Sequence, residues 1–237
     1  MRKIADFHSH VLPNIDDGSA SLEESIALLR MEAEQGIQRV VATPHFYPQY
    51  DTPEHFLRKR AEAEAALRQQ MQNHSGLPEL SIGAEVYYFH GISESDAITE
   101  LTIDNKRCIL LEMTMPPWTD SMYRELEGLY LNRGLVPIIA HVDRYIGRFH
   151  THGIPRRLAE LPVLVQANAE FFTDRSTASM ALRMLKKNQI HLLGSDCHNL
   201  KDRKPDLGDA LKVIEKRLGE APCAEIQKTQ QFVLQGE

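Results

Sequence analysis

A chain of 237 residues, 42% hydrophobic and 25% charged, is long enough to bury a core and has the balance of a globular protein. Its 27 basic and 33 acidic side chains leave a net charge of −6, which argues against general nucleic-acid binding. Three cysteines without short spacing indicate no disulfide framework, and no apolar run has the form of a signal peptide or membrane span, so a cytoplasmic protein without membrane insertion is expected.

Helix and strand signals alternate along the whole chain, which predicts one domain over residues 1–237. Residues 3–7 form a short apolar run. Ser21-Leu22-Glu23-Glu24 is a capping box, and Ile26, Leu29 and Ala33 continue at helical spacing before Gly36. A Val-Val-Ala run at 39–43 is bounded by Pro44. Thr52-Pro53-Glu54 opens a second helix that runs towards Gln72. Further strand-like runs occupy 80–84, 108–112, 135–140, 163–167 and 190–194. Helical patterns at 120–133, 177–187 and 207–218 separate most of them, and 221–234 also reads as a helix. Repeated strand–helix units mean a parallel sheet, and near-continuous apolar strands mean burial on both faces. Seven strands suit either a distorted barrel or a doubly wound sheet.

The residues that follow each strand decide between these. His8 and His10 follow the first, and His45 follows the second. Glu85 and Glu112 end the third and fourth. His141 ends the fifth, Asn168 the sixth, and Asp196 and His198 follow the seventh. In a barrel these ends meet on one face, whereas an open sheet would spread them along an edge. Five of the eleven histidines and three acids would therefore converge. Buried carboxylates and imidazoles need partners, and divalent ions bind both. In His8-Ser9-His10, alternate residues of an extended segment face the same side, and Asp196-Cys197-His198 repeats that spacing. Cys197 then faces away from the ligands and reads as packing. Adjacent metal ions lower the pKa of a bound water, so a metal-activated hydroxide is the expected nucleophile.

The motifs Asp6-Phe7-His8-Ser9-His10, Asp16-Asp17-Gly18, Thr43-Pro44-His45, Gly83-Ala84-Glu85-Val86-Tyr87-Tyr88, Leu111-Glu112, Ala140-His141-Val142-Asp143-Arg144-Tyr145 and Gly194-Ser195-Asp196-Cys197-His198-Asn199 run in order along most of the chain. In them the chain resembles the PHP (polymerase and histidinol phosphatase) superfamily. Within it, it looks like the bacterial manganese-dependent protein-tyrosine phosphatases of capsule and exopolysaccharide synthesis. The resemblance implies an α/β fold, a distorted (β/α)7 TIM-like barrel. It also implies three divalent metal ions, with manganese expected and iron or zinc compatible. His8, His10, Glu85 and Asp196 would hold one ion. Glu85 would bridge to a second, completed by Glu112 and His141. Asp17, His45 and His198 would hold the third, with Asp16 supporting them from outside. Arg144 and Arg203 match arginines that bind phosphate. Position 143 is Asp where the family pattern has Glu, which touches an outer contact to His141. The implied partner is the phosphorylated tail of a tyrosine kinase that controls polysaccharide export. A phosphatase of a small metabolite such as histidinol phosphate, or a metal-binding kinase regulator without turnover, stays open, as does the oligomeric state.

Two further patterns fit an anionic aryl substrate. Arg144, Arg148, Arg156 and Arg157 lie in a stretch without acids, and Lys201, Arg203 and Lys204 follow the seventh strand. Each reads either as a positive rim or as a solvated loop. Aromatics after the strand ends, including Phe46, Tyr47, Tyr50, Tyr87, Tyr88, Trp118 and Phe149, read either as a ring-binding mouth or as loop packing. The histidines at 55, 74, 90, 150, 152 and 191 read as surface or structural.

Overall fold

The computed structural model describes residues 4–146 and 153–236, so Arg148, Phe149, His150 and His152 lie outside the described residues. Strand β1 (Ile4–Ser9) is buried along its whole length. It pairs in parallel with β2 (Ile37–Ala42), which pairs with β4 (Glu79–Ile82). Between these, β3 (His45–Phe46) continues the path of β2 across Thr43-Pro44, and β5 (Glu85–Tyr87) continues β4 across Gly83-Ala84. Proline has no N–H to donate, so the ladder must break there. Main-chain bonds still cross the interruption, from Gly83 N to Ala42 O at 2.8 Å and from Glu85 N to Pro44 O at 3.0 Å.

The sheet then proceeds in parallel from β5 through β6 (Cys108–Glu112), β7 (Val136–Ile139), β8 (Leu164–Asn168) and β9 (Leu192–Gly194). Beyond β9 the chain returns to β1. Asp196 N donates to His8 O at 2.7 Å, and His10 N donates to Cys197 O at 2.9 Å. With each interrupted pair taken as one strand, the result is the expected seven-stranded distorted barrel. Closure removes free sheet edges, and every strand end faces the same mouth.

The helices form where the local signals place them. Helix α1 (Leu22–Glu34) begins at Ser21, whose hydroxyl accepts from Glu24 N, while the Glu24 carboxylate reaches back to Ala20 N. Helix α2 (Pro53–Met71) starts at Thr52 with proline in its first turn. Helix α3 (Asp120–Arg133) starts at Thr119 and stops at Gly134, where φ is +66°. The short helices α4 (Ile154–Leu158) and α5 (Glu170–Thr173) carry too few residues for a periodic signal and were not expected. Helices α6 (Ala178–Lys186), α7 (Leu207–Leu218) and α8 (Ala221–Gln235) match the expected segments within two residues. Inside the barrel, Leu110, Ile138 and Leu192 are fully buried, each contributing roughly 1.5–3 kcal/mol by leaving water. Among the described residues, no helix is long and apolar enough to cross a membrane.

Candidate metal centre

All nine expected ligands stand at the barrel mouth. His8 and His10 come from the extended end of β1, and their Nε2 atoms lie 3.2 Å apart. Glu85 opens β5 and sits between them, its Oε2 3.2 Å from His8 Nε2 and 3.5 Å from His10 Nε2. Asp196 Oδ1 faces the same two nitrogens at 3.5 and 3.4 Å. The other Glu85 oxygen is 2.7 Å from His141 Nε2, which is 3.6 Å from Glu112. On the opposite side, Asp17 Oδ1 lies 3.4 Å from His45 Nε2 and 3.5 Å from His198 Nε2.

Three sets of donor atoms are thus brought together: His8, His10 and Glu85; His45, Glu85 and Glu112; and His10, Asp17, His45 and His198. Within each set all atoms lie within 4.8 Å of one another. Glu85 Oε2 approaches three imidazole nitrogens within 3.5 Å, yet it forms no hydrogen bond. Glu112 Oε2, His141 Nδ1 and His198 Nε2 are also buried without a hydrogen-bond partner. Orphaned buried polar atoms are costly, and a set that mixes imidazole nitrogen with carboxylate oxygen suits a divalent cation.

The backbone is bent to present these groups. His141 has φ +31° and Asp196 has φ +55°, a region that non-glycine residues rarely occupy and that concentrates at functional sites. Two glycines make room. A Cβ on Gly194 would stand 2.5 Å from His8 Cβ, and one on Gly18 would stand 2.4 Å from His10 O.

Supporting polar groups orient the rings. Asp16 receives His10 Nδ1 at 2.8 Å and the His45 amide at 2.9 Å, as its expected outer role requires. Asp6 accepts from the main-chain amides of His8 and Ser195 at 3.0 Å and so ties the ends of β1 and β9 together. Gln166, fully buried on β8, accepts from the His141 amide at 2.6 Å and lies 3.3 Å from His8 Nδ1. Asn168 donates to Asp196 at 3.0 Å. Asp143 accepts from the Asn168 amide at 2.9 Å, so it braces the loop after β8, while His141 Nδ1 has no hydrogen-bond partner. Sequence reasoning missed Asp6 as a clamp and Gln166 as a ring support. A polar side chain two positions before Asn168, inside an apolar strand, was the available signal for Gln166.

The cluster polarises itself. Burial opposes charge on Glu85, but His8 and the rings of His10, His141 and His45 hold its carboxyl well below the usual range. Burial likewise opposes the imidazolium of His10, yet Asp16, Asp196 and Glu85 raise it well above its ordinary value, and Glu85 and Asp196 raise His8. His198 goes the other way, down to about 4, through burial and the neighbouring His10. Burial and Glu85 raise Glu112.

Arg144 and Arg203 stand at the rim, partly exposed, and both reach Asp196, at 2.5 Å and 2.8 Å. The other described arginines of the basic stretch turn elsewhere. Arg156 pairs with Glu160, and Arg157 pairs with Asp120 and lies over the Tyr123 ring. Phe46, Tyr145 and Phe172 are core residues, and Trp118 packs on Tyr145. Tyr47 instead stacks on His45 with ring centroids 5.0 Å apart. The described histidines outside the cluster sit elsewhere, with His55 on Asp51, His90 on Glu125 and His191 on the Val165 amide.

Comparison with known proteins bears on the family and the fold. The chain is 29% identical over 231 residues to the tyrosine-protein phosphatase CpsB of Streptococcus pneumoniae, covering 93% of each chain. It is 27% identical over 234 residues to the tyrosine-protein phosphatase YwqE of Bacillus subtilis, covering 90% of this chain and 85% of that one. A solved chain from the crystallographic work on YwqE and CpsB, described as metal-dependent tyrosine phosphatases, superposes with TM-score 0.85 at 24% identity, over 99% of this chain and 95% of that one. An amidohydrolase from Bifidobacterium longum shares the fold at TM-score 0.55 and 13% identity, over the whole of both chains. The family model for capsular polysaccharide synthesis, CpsB/CapC, matches residues 4–232, and this chain therefore belongs to the CpsB/CapC family.

Proposed function

We propose that this chain is a metal-dependent phosphatase of protein phosphotyrosine, working as one domain over residues 1–237 in the cytoplasm. Its substrate is the phosphorylated tail of a tyrosine kinase that governs polysaccharide synthesis. Relatives named as tyrosine-protein phosphatases, over nine-tenths of the chain, support the reaction class. The observation that carries the metal dependence is Glu85, fully buried, whose two oxygens face separate imidazole sets and whose Oε2 accepts no hydrogen bond.

The donor chemistry fits three divalent ions, with manganese expected and iron or zinc compatible. His8, His10, Glu85 and Asp196 would hold the first. Glu85 would share the second with Glu112 and His141. Asp17, His45 and His198 would hold the third. Bound ions there neutralise the phosphate dianion and lower the pKa of a coordinated water.

The remaining work falls to the chain itself. Arg144 and Arg203 offer planar forks from two sides of Asp196, a geometry suited to phosphoryl oxygens. A cation held by Asp196 would compete with both arginines for its carboxylate and so favour their contact with phosphate. Asp16, Gln166 and Asn168 hold His10, His141 and Asp196 in place, which keeps reorganisation small during transfer.

A chelator-stripped sample tests the reading. It should lose turnover of phosphotyrosyl peptides and regain it with manganese, and phosphotyrosine should exceed phosphoserine, phosphothreonine and histidinol phosphate in a panel. Full turnover in protein shown by elemental analysis to be metal-free would refute the metal role. Preference for histidinol phosphate would move the substrate to small metabolites.

A further inference from the structure

A cleft of about 380 Å³ opens directly beside the donor cluster and shares Asp17 and His45 with it. It runs outward between the turn that carries Ile15 and Asp17 and the segment that carries Tyr47 and Tyr50, with His45 at its inner end and Lys59 on its wall. Its volume lies in the range of small-ligand pockets.

The walls are aromatic in an ordered way. Tyr47 stacks on His45 at an interplanar angle of 27°, and its hydroxyl lies 3.2 Å from His45 Nδ1. Tyr87 supports it with centroids 5.6 Å apart. Tyr50 stands edge-on to Tyr47, with centroids 6.4 Å apart at 70°, and is 84% exposed. Tyr47 is therefore held by packing, whereas Tyr50 presents an uncovered ring to the cleft. An open tyrosine ring on the wall of a pocket offers a stacking or edge-on surface to an aromatic ligand.

Charge adds a second element. Asp16, Asp17 and Asp51 also line the cleft but face His10, His45 and His55, whereas the Lys59 ammonium reaches the Ile15 carbonyl, at 3.3 Å, and forms no ion pair with a carboxylate among the described residues.

We infer that this cleft seats the phenyl ring of a phosphotyrosyl peptide between Tyr47 and Tyr50, with Lys59 receiving an acidic side chain next to the phosphotyrosine. The inference rests on the reading of the donor cluster as a phosphatase centre and adds how that centre selects its ester. A phosphotyrosine side chain carries its phosphate further from the main chain than phosphoserine does, which suits an ester that enters through this cleft towards His45 while its main chain stays at the rim. A phosphoserine side chain is too short for this, and its main chain would have to enter the cluster. Offset or edge-to-face ring contacts contribute about 0.5–1.5 kcal/mol beyond area burial, up to roughly tenfold in affinity.

The test is steady-state kinetics of wild type, Tyr50→Ala, Tyr50→Phe and Lys59→Ala, all with manganese. The substrates are a phosphotyrosyl peptide with and without a flanking glutamate, p-nitrophenyl phosphate and β-glycerophosphate. In Tyr50→Ala the ratio of aryl to alkyl kcat/KM should fall about tenfold, with the loss in KM, and Tyr50→Phe should restore it. In Lys59→Ala the preference for the flanking glutamate should disappear. An unchanged aryl-to-alkyl ratio in Tyr50→Ala, or an equal loss on both ester classes, overturns the seat while leaving the phosphatase reading intact. A wild type that hydrolyses none of these esters overturns the phosphatase reading, and the seat with it. Circular dichroism and metal content of each variant show that it is folded and loaded.

Discussion

Arg144 donates to Asp196 across the barrel mouth at 2.5 Å, although Asp196 itself is held in the left-handed region at φ +55°. A strained acid thus stands between the His8–His10 pair and two arginine forks. With an ion bound, it would turn to the metal and leave Arg144 for phosphate.

Arg144→Ala should therefore keep its metals and lose kcat by roughly 10²-fold or more, because a charge-assisted fork on the transferred group strengthens as charge develops. Arg144→Lys should recover only part of this, since an ammonium lacks the planar fork. Metal stoichiometry and aryl phosphate kinetics on both variants decide. Turnover near that of wild type in metal-loaded Arg144→Ala would leave phosphate binding to Arg203.

Metal uptake should release protons and weaken as pH falls. His8 and His10 are held protonated above their ordinary values by Glu85, Asp196 and Asp16, and a cation must displace those protons. The sign for the metal-free protein follows from the same shifts. A raised imidazole pKa adds stability below the unfolded value of about 6.5, and that stability disappears as pH rises through the folded value. The melting temperature of stripped protein should then decline above neutrality, and manganese should reverse the decline. Calorimetry in buffers of different ionisation enthalpy measures the released protons.

Gly194→Ala should damage the centre more than its size suggests. The added carbon would meet His8 Cβ at 2.5 Å and Gln166 Nε2 at 2.9 Å, both parts of the buried frame. Displacing His8 should lower metal content and turnover together, with a stability loss of about 1–3 kcal/mol from overpacking. Gly134→Ala is the control. It has open space around it, so its cost is confined to the positive φ of +66° and should spare metal content. Equal metal content in both variants would show that β1 accommodates the shift.

Behind the centre lies an acidic group, Asp6, Glu170 and Asp206. Burial raises the Asp206 carboxyl to about 7, with Asp6 and Glu170 adding to it, and Asp206 Oδ1 has no hydrogen-bond partner. A raised carboxyl pKa makes ionisation cost stability as pH climbs from about 4 towards 7. Asp206→Asn should raise the melting temperature at pH 8 and have less effect at pH 5, at about 2–4 °C per kcal/mol gained. A larger gain at pH 5 than at pH 8 would contradict the sign.

Much of the frame was legible locally. The capping box at Ser21, the Thr52-Pro53 start and the apolar runs from 80–84 to 190–194 depend on near neighbours, and helices and strands formed there within about two residues. Pro44 marked the end of β2, but the resumption of pairing as β3 and β5 was not legible, because it depends on how His45 and Glu85 turn into the mouth. Short helices such as α4 carry too few residues for a periodic signal.

By itself, the sequence determined which side chains stand at the strand ends, because parallel strands alternate with helices and each strand can end in only one place. That was enough to name eight of the nine donors, whereas Asp17, Arg144 and Arg203 came from the motif resemblance. Only the tertiary structure decided how they group, because grouping depends on barrel closure between His8 and Asp196, which are 188 positions apart, and on backbone held at positive φ. It also decided that Arg157 belongs to Tyr123 rather than to the site, and that Tyr47 faces His45 while Phe46 enters the core. Adjacent residues on a strand must face opposite ways, but which face meets the cluster is set by packing across the whole barrel.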